Sequence, residues 1–560
     1  MRGDPLPDRP AEILEQPELL DSITADTPSL ACIRDLLKAR FMARRGRTGE
    51  SLILIRKVIR ESEAASLPRH AREARLALAE TLEESGDLAG AGRIFRTALE
   101  ENHSLDKIDV ILPFSNTAER ELNGLIRCLV GSSRVDQARE TIQKAASLKT
   151  AKGVQFLREL KENPEGDSKG ILSRAVLEME GGSGRADGKP GTLHKPPAGT
   201  TMIEFWPDGK EIFVWIDNPG THDFMRLGLE QRIGESISGL TDSLYSREPF
   251  LGPEPPAGLS ERLYRQIFQP LERRIREKRL LIIVHKELQS LPLEMLRTGP
   301  GRYLLEKYTF SYLPGLHYLG RSDRTMEPPL LVQPPGFRDR EGATLELRSL
   351  GKLYPGLRSL PSLDIRGSLT GEWIHIASHL RLDRRYWLNS SLDGGGSSRP
   401  MTDLLKADIH CQLLSLGMCE SANSATAASP YWMGFSEILL LNGADTLLTS
   451  RWRMDELTAN IYTEFFRLCR RGMPMDEALR NSRLRFLNPA GAGLPPQADH
   501  PFYWAGITYV GEPGRRLPVY RETSTGAGIF PILFWLILMA GTLLGARISS
   551  YLDLTRKTPG

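Results

Sequence analysis

Two apolar runs that end in small and polar residues constrain the fold of this chain more than any other feature. The first is Glu372-Trp-Ile-His-Ile-Ala-Ser-His379 and the second is Gln412-Leu-Leu-Ser-Leu-Gly-Met-Cys419. Near-continuous apolar stretches of this length are the pattern of strands buried on both faces, as in a parallel sheet. In open α/β sheets ligands bind beyond the carboxyl ends of the strands. His379 and Cys419 stand at the ends of the two runs, 40 residues apart (419 − 379). If the two strands are neighbours, both residues reach the same rim, where a thiol beside an imidazole is a nucleophile with its base.

The surrounding sequence repeats this alternation. Strands are expected near 280–285, 329–333, 372–377, 412–418, 444–450 and 505–510. Helices are expected between them, near 255–278, 341–353, 431–442, 456–471 and 475–487. Such alternation argues for α/β architecture with a mostly parallel sheet. The sheet begins with a hairpin, because Thr201 to Ile216 alternates around Pro207-Asp208-Gly209.

Residues 28–160 differ in kind. They are rich in helix formers and carry an internal repeat, clearest at Gly86, Ala91, Phe95 and Ala98, the spacing of a tetratricopeptide unit. Small residues at Ala91 and Ala98 let two antiparallel helices approach, and Phe95 fills the gap between them. A second copy has Ala138, Ile142 and Ala145, and a weaker one has Ser51, Ile55 and Val58 behind Gly46. The copies start 40 and 47 residues apart (91 − 51 and 138 − 91), longer than the usual 34-residue period, so irregular units are implied. This region holds no catalytic candidates and is expected to bind a partner. A polar Gly/Pro linker is expected over 161–199.

With these residues in view, the second half of the chain resembles the CHAT domain, a caspase-like protease fold also similar to separase and gingipain. His375-x-Ala-Ser-His379 followed by Leu416-x-x-Cys419-Glu-Ser carries the resemblance. Three more segments keep the family order over 200–512. Ile282 to Leu296 contains Leu-x-x-Leu-Pro-x-Glu-x-Leu, Asn442 to Trp452 ends Ser-x-Trp, and His500 to Gly511 matches the closing strand. The resemblance implies a cysteine endopeptidase acting on a protein substrate. It makes the second histidine, His379, catalytic with Cys419, and leaves His375, deeper in the run, as a core or supporting residue. It also assigns the oxyanion donors to the backbone amides of Cys419 and of the residue after the histidine. That residue is usually glycine in the family and is Leu380 here. The N–H survives the change, although glycine permits conformations that leucine disfavours.

Chemistry and composition add limits. Cysteine attacks as thiolate, and a neighbouring imidazolium lowers its pKa; His379 then protonates the leaving amine. The five cysteines, Cys32, Cys128, Cys411, Cys419 and Cys469, are scattered and odd in number, without a disulfide framework or metal-ligand spacing. No Walker loop, dinucleotide loop or metal cluster appears, so no cofactor is expected. A net charge of +3 from 73 basic and 70 acidic residues argues against a dedicated nucleic-acid binder. After the third strand, Asp455 and Glu456 are candidates for an acidic specificity pocket favouring Arg or Lys before the cleaved bond. Asp455 serves equally well as a helix cap, and Arg453 would favour an acidic residue instead.

Gly526 to Ala546 is 21 residues without a charge, enough to span a bilayer, so a transmembrane helix is expected over 526–547. The N-terminus lacks the pattern of a signal peptide. A single C-terminal anchor with the bulk of the chain cytoplasmic follows as the expected localisation. The sequence as a whole predicts a multidomain protein: a helical repeat array, a caspase-like α/β domain and a membrane anchor. By resemblance, such proteins often act in bacterial defence, cutting a partner once a trigger engages the repeats. The alternative is a catalytically inactive scaffold that assembles proteins at a membrane, a reading that Leu380 favours and the intact His379/Cys419 pair opposes.

Overall fold

The computed structural model describes residues 27–101, 117–162, 195–245, 257–320, 327–333, 341–361, 367–381, 390–393, 398–418 and 435–518. Six helices open it: α1 (Pro28–Arg44), α2 (Thr48–Ala64), α3 (Pro68–Glu84), α4 (Leu88–Glu101), α5 (Thr117–Gly131) and α6 (Val135–Glu162). They form three hairpins, one for each expected repeat copy. The turns at 45–47, 65–67, 85–87 and 132–134 each place their middle residue in the left-handed region, at Gly46 (φ 75), Ser66 (φ 55), Gly86 (φ 89) and Ser133 (φ 58). This conformation ends a helix and reverses the chain. Helices of 17 residues joined by such turns give the spacing of 40. The spacing of 47 spans the stretch 102–116 between α4 and α5, which lies outside the described residues.

The repeat residues fill the array. Ser51, Ile55, Val58, Ala91, Phe95, Ala138 and Ile142 are all at most 1% exposed. A Cβ on Gly124 of α5 would lie 2.3 Å from Phe95 Cζ, so α5 rests on that ring only because residue 124 is glycine. Ion pairs tie alternate helices, with Arg40 to Glu73 at 3.3 Å, Arg72 to Glu121 at 2.9 Å and Arg120 to Glu80 at 2.7 Å.

The strands that follow are β1 (Thr200–Asp208), β2 (Glu211–Asn218), β3 (Thr221–Gly228), β4 (Arg279–Val284), the small pair β5 (Arg297–Gly299) and β6 (Arg302–Tyr303), β7 (Thr309–Leu313) and β8 (Leu330–Val332). After them come β9 (Arg358–Leu360), β10 (Ser368–Ala377), β11 (His379–Arg381), β12 (Ser391–Asp393), β13 (Ser398–Pro400), β14 (Asp408–Gly417), β15 (Leu447–Ser450) and β16 (Ile507–Val510). Among the described residues, eleven of these form one sheet in the order β3-β2-β1-β4-β7-β16-β15-β14-β10-β8-β9. All neighbours in it are parallel except β3/β2, β2/β1 and β15/β16. At the antiparallel seam between β15 and β16 the direction reverses: β1, β4, β7 and β16 run one way and β15, β14, β10, β8 and β9 the other, so the carboxyl ends of the two sets point to opposite edges. The intervening helices include α7 (Ile233–Tyr245), α8 (Ala257–Leu263), α9 (Glu341–Leu353), α10 (Met401–Lys406), α11 (Phe435–Leu441), α12 (Ala459–Arg470) and α13 (Met475–Leu484). The apolar runs of β4, β10 and β14 are buried, as double-sided covering requires.

The array and the sheet share a core. Trp206, Phe213 and Trp215 of the β1–β2 hairpin pack with Phe95, Leu122, Leu125 and Ile142. Buried charges cross the same boundary. Arg139 of α6 donates to Glu204 of β1 at 2.8 Å and to Asp217 of β2 at 2.7 Å. His285 Nε2 lies 3.1 Å from Glu204 Oε1, and Lys286 Nζ donates to Asn123 of α5 and to the Pro207 carbonyl, each at 2.8 Å. Burial holds the Lys286 ammonium below its usual pKa, against the pull of Asp208 and Glu119. Further along α6, Leu157 and Leu160 enter the main core, and Lys161 donates to Asp408 at the start of β14 at 2.6 Å. Among the described residues no helix is long and apolar enough to cross a membrane. The expected membrane helix, 526–547, and most of the expected linker lie outside the described residues.

Candidate active site

The two apolar runs are neighbours. β10 and β14 pair in parallel from Ser368↔Asp408 to Ala377↔Gly417, with Trp373, Ile374, Ile376, Leu413, Leu414 and Leu416 fully buried. His379 follows Ala377 by two residues, and position 419 follows Gly417 by two. Cys419 itself lies outside the described residues, in the stretch 419–434. His379 is half-buried and opens β11, a strand of a separate three-stranded sheet, opposite Asp393. Leu380 pairs with Leu392 and packs against the main core. The sequence treats His379 as the tail of the long strand; the chain instead breaks at Ser378 and starts a new one.

His375, four residues before His379, is fully buried. Its Nδ1 lies 2.9 Å from Ser415 Oγ on the paired strand, and its Nε2 lies 3.1 Å from Glu346 Oε1 on α9. The second approach is off the hydrogen-bond axis, leaving both atoms without a hydrogen-bond partner. The ring also stacks edge-on to Tyr462 and Phe466 of α12, at 5.6 and 6.0 Å between centroids. Gly417 lies directly against it, since a Cβ there would fall 2.9 Å from His375 Cε1 and Nε2. The expectation that His375 is a core or supporting residue fits this burial.

The Ser450-Arg451-Trp452 segment locks the end of β15. Trp452 is buried and donates to the Phe502 carbonyl at 2.9 Å, against Gly506, where no side chain fits. Arg451 donates to Thr508 at 2.8 Å and to the Gln289 carbonyl, and its guanidinium lies 4.9 Å from the Tyr312 ring centroid. Of the specificity candidates, Asp455 caps the turn Glu456–Thr458 by accepting from Leu457 N at 3.0 Å. Glu456 and Arg453 are exposed.

The Leu-Pro-x-Glu segment is a second polar clamp. Glu294, 1% exposed, accepts from Arg483 of α13 at 2.7 Å and from the Tyr312 hydroxyl. Tyr312 in turn accepts from Leu293 N at 3.0 Å. Burial and the Glu294 carboxylate push the Tyr312 phenol well above its usual range, so it stays a donor. The motif thus straps the segment after β4 across the sheet to β7 and α13.

The four described cysteines, Cys32, Cys128, Cys411 and Cys469, are free and buried. Burial pushes the Cys128 thiol up to about 12 and raises the other three as well. A thiol in such surroundings is a small hydrophobe rather than a nucleophile. No group of three His, Cys, Asp or Glu among the described residues is placed to hold a metal ion. Sequence reading assigns no role to Glu346, Ser415 or Arg451. Glu346 meets His375 only once α9 docks on the sheet, which no local pattern reports, whereas Ser415 follows from the register of the two runs.

Residues 258–512 match the family model for the CHAT domain. No curated protein matches the chain. Among solved structures the chain is similar to separase of Saccharomyces cerevisiae in the separase–securin complex, at 11% identity and a TM-score of 0.42. That similarity covers 90% of this chain and 49% of the separase chain, so this chain spans about half the length of that protein. The strands β1–β3 extend the sheet beyond the matched residues, from position 200. Within the chain, residues 258–512 are therefore similar to the CHAT domain.

Proposed function

We propose that this protein is a membrane-anchored cysteine endopeptidase in which Cys419 is the nucleophile and His379 its base. The register of β10 and β14 carries the reading: Ala377 and Gly417 are paired, and each candidate lies two residues further on. The buried, high-pKa state of the other four cysteines supports the same choice. In this mechanism the Cys419 thiolate adds to the carbonyl carbon of the scissile peptide bond. The amides of residues 380 and 419 receive the developing oxyanion. His379, protonated, gives its proton to the departing amine as the C–N bond breaks, leaving an acyl-enzyme. Water, with His379 as base, then releases the acid and restores the thiol.

The helical array binds the protein trigger or partner, and cleavage of a partner protein serves defence. Asp455 and Glu456 favour a basic residue before the cleaved bond, with the half-buried Asp455 nearer to fixed geometry than the exposed Arg453. The alternative, an inactive scaffold, draws on Leu380, whose backbone is committed to β11. Incubation of the full chain with a proteome-derived peptide library separates the readings. Wild type should cut, mainly after Arg or Lys, and Cys419→Ala and His379→Ala should each lose about 10³-fold or more, with little further loss in the double variant. Near wild-type cutting by either single variant rules out the dyad, and a wild type that cuts nothing leaves the scaffold. Cutting mainly after Asp or Glu moves the specificity to Arg453.

A further inference from the structure

We infer that the turn Lys286–Ser290 is a mechanical coupler, which takes up the position of α5 in the array and sets the hold on the carboxyl end of β15. The turn follows β4 and opens at Lys286, whose backbone lies in the left-handed region at φ 54. A residue with a side chain is costly there and stays only where its surroundings hold it. Here the hold comes from outside the turn. The Lys286 ammonium, 6% exposed, donates to Asn123 Oδ1 of α5 and to the Pro207 carbonyl of β1, each at 2.8 Å. It lies 3.7 Å from Glu119 Oε1, also on α5, and 4.7 Å from the centroid of the Trp206 ring. Burial disfavours the charged form of this lysine, so an ammonium at this depth depends on the acceptors that α5 and β1 offer it.

At its other end the turn holds the sheet. The Gln289 carbonyl accepts from the guanidinium of Arg451, the residue that follows β15. The same arginine is tied to β16, through Thr508 Oγ1 at 2.8 Å and from its own N–H to the Gly506 carbonyl at 2.8 Å. Between the two contacts Leu288 is fully buried in the main core, which leaves rotation about that side chain as the motion open to the turn. Loss of the α5 contacts removes what sustains the left-handed Lys286. The residue then returns to an ordinary φ, the peptide planes of the turn rotate, and the Gln289 carbonyl leaves Arg451. A part-buried guanidinium N–H without its acceptor weakens the end of β15. The reverse follows by necessity: a change that loosens Arg451 also loosens Lys286 from α5, because a coupling between two sites acts equally in both directions. The turn is the two-state element that both sites bias.

The test is amide hydrogen exchange of the full-length protein, read by peptide mass spectrometry. Asn123→Ala, and Lys286→Met, which keeps the apolar stem beside Trp206, should each speed exchange about threefold or more at residues 286–291 and also at 447–452. Exchange at 373–376 of β10, in the same sheet, should stay within about twofold of wild type. In the opposite direction Arg451→Gln should speed exchange at 286–291 and at 119–124 of α5. Asn123→Ala carries the test if Lys286→Met does not fold. Faster exchange at 286–291 with 447–452 unchanged makes the turn a local anchor and overturns the inference. Transmission in one direction only overturns it as well. So does equal acceleration at 373–376, which marks a general loss of stability. None of these amides belongs to the proposed catalytic pair, so the result is independent of whether the chain cuts peptides.

Discussion

Gly124 shows how closely single residues are fitted in this molecule. The Phe95 ring fills the space where its Cβ would be, and Phe95 is fully buried, so the ring has no room to turn aside. Gly124→Ala should therefore destabilise the protein by about 1–3 kcal/mol through overpacking, despite the better helix propensity of alanine. Urea unfolding of both proteins checks this, and a variant as stable as wild type would mean that α4 and α5 separate at little cost. Residues of this kind were legible in the sequence where they repeat: Ala91, Phe95 and Ala98 declare a helix pair by their spacing alone. Glu346 was not, because a buried glutamate looks like a surface one until its partner, 29 residues away (375 − 346), is brought to it. The core role of His375 was legible from its depth in an apolar run, but its two polar neighbours were not. Cys419 itself lies outside the described residues, two positions beyond the paired Gly417.

Between elements, the contact of α6 with β1 and β2 is polar where most packing in the protein is apolar. Arg139 is 2% exposed between Glu204 and Asp217. Arg139→Ala leaves two buried carboxylates without their shared cation and should cost about 3–5 kcal/mol, measurable by denaturant titration at neutral pH. His222 of β3 also bonds Asp217, and that bond raises the imidazole pKa although burial opposes it. The Asp217 carboxyl is lowered: burial would raise it, but the bonds from His222 and Arg139 outweigh burial. The raised histidine contributes stability in full below about pH 6.5 and loses it as pH climbs through its folded value; the lowered aspartate contributes above about pH 4 and loses it as pH falls. The melting-temperature gap between wild type and His222→Gln should therefore be widest between about pH 4 and 6.5 and close toward pH 9. An equal gap at pH 5.5 and pH 9 would show that the hydrogen bond, not the charge, holds β3. Strand β3 itself was missed in the sequence because Thr221, His222, Asp223 and Arg226 give an edge strand no apolar alternation. Strand β7 was missed because Thr309–Leu313 is short and includes a serine. The longer runs of β4, β10 and β14 were legible because burial on both faces leaves little room for polar residues.

At the scale of the whole chain, the proposed anchor follows from Gly526 to Ala546. Alkaline carbonate should leave the full-length protein in the membrane pellet and release a 1–520 truncation that remains active. Release of the full-length protein would make the apolar segment something other than a span. The array was expected to be an appendage on a linker, yet it shares a core with the sheet. The reason was invisible in the sequence: Trp206, Phe213 and Trp215 look like ordinary hairpin residues until α4, α5 and α6 cover them. The length of α6 has a mechanical consequence. From Arg139, clamped at the array end, to Lys161, bonded to the first residue of β14, the helix runs 22 residues, or roughly 33 Å. It is a lever arm. A tilt of about 5° at the clamp sweeps the far end through roughly 3 Å, more than a hydrogen bond tolerates and far more than side-chain packing at the array would reveal.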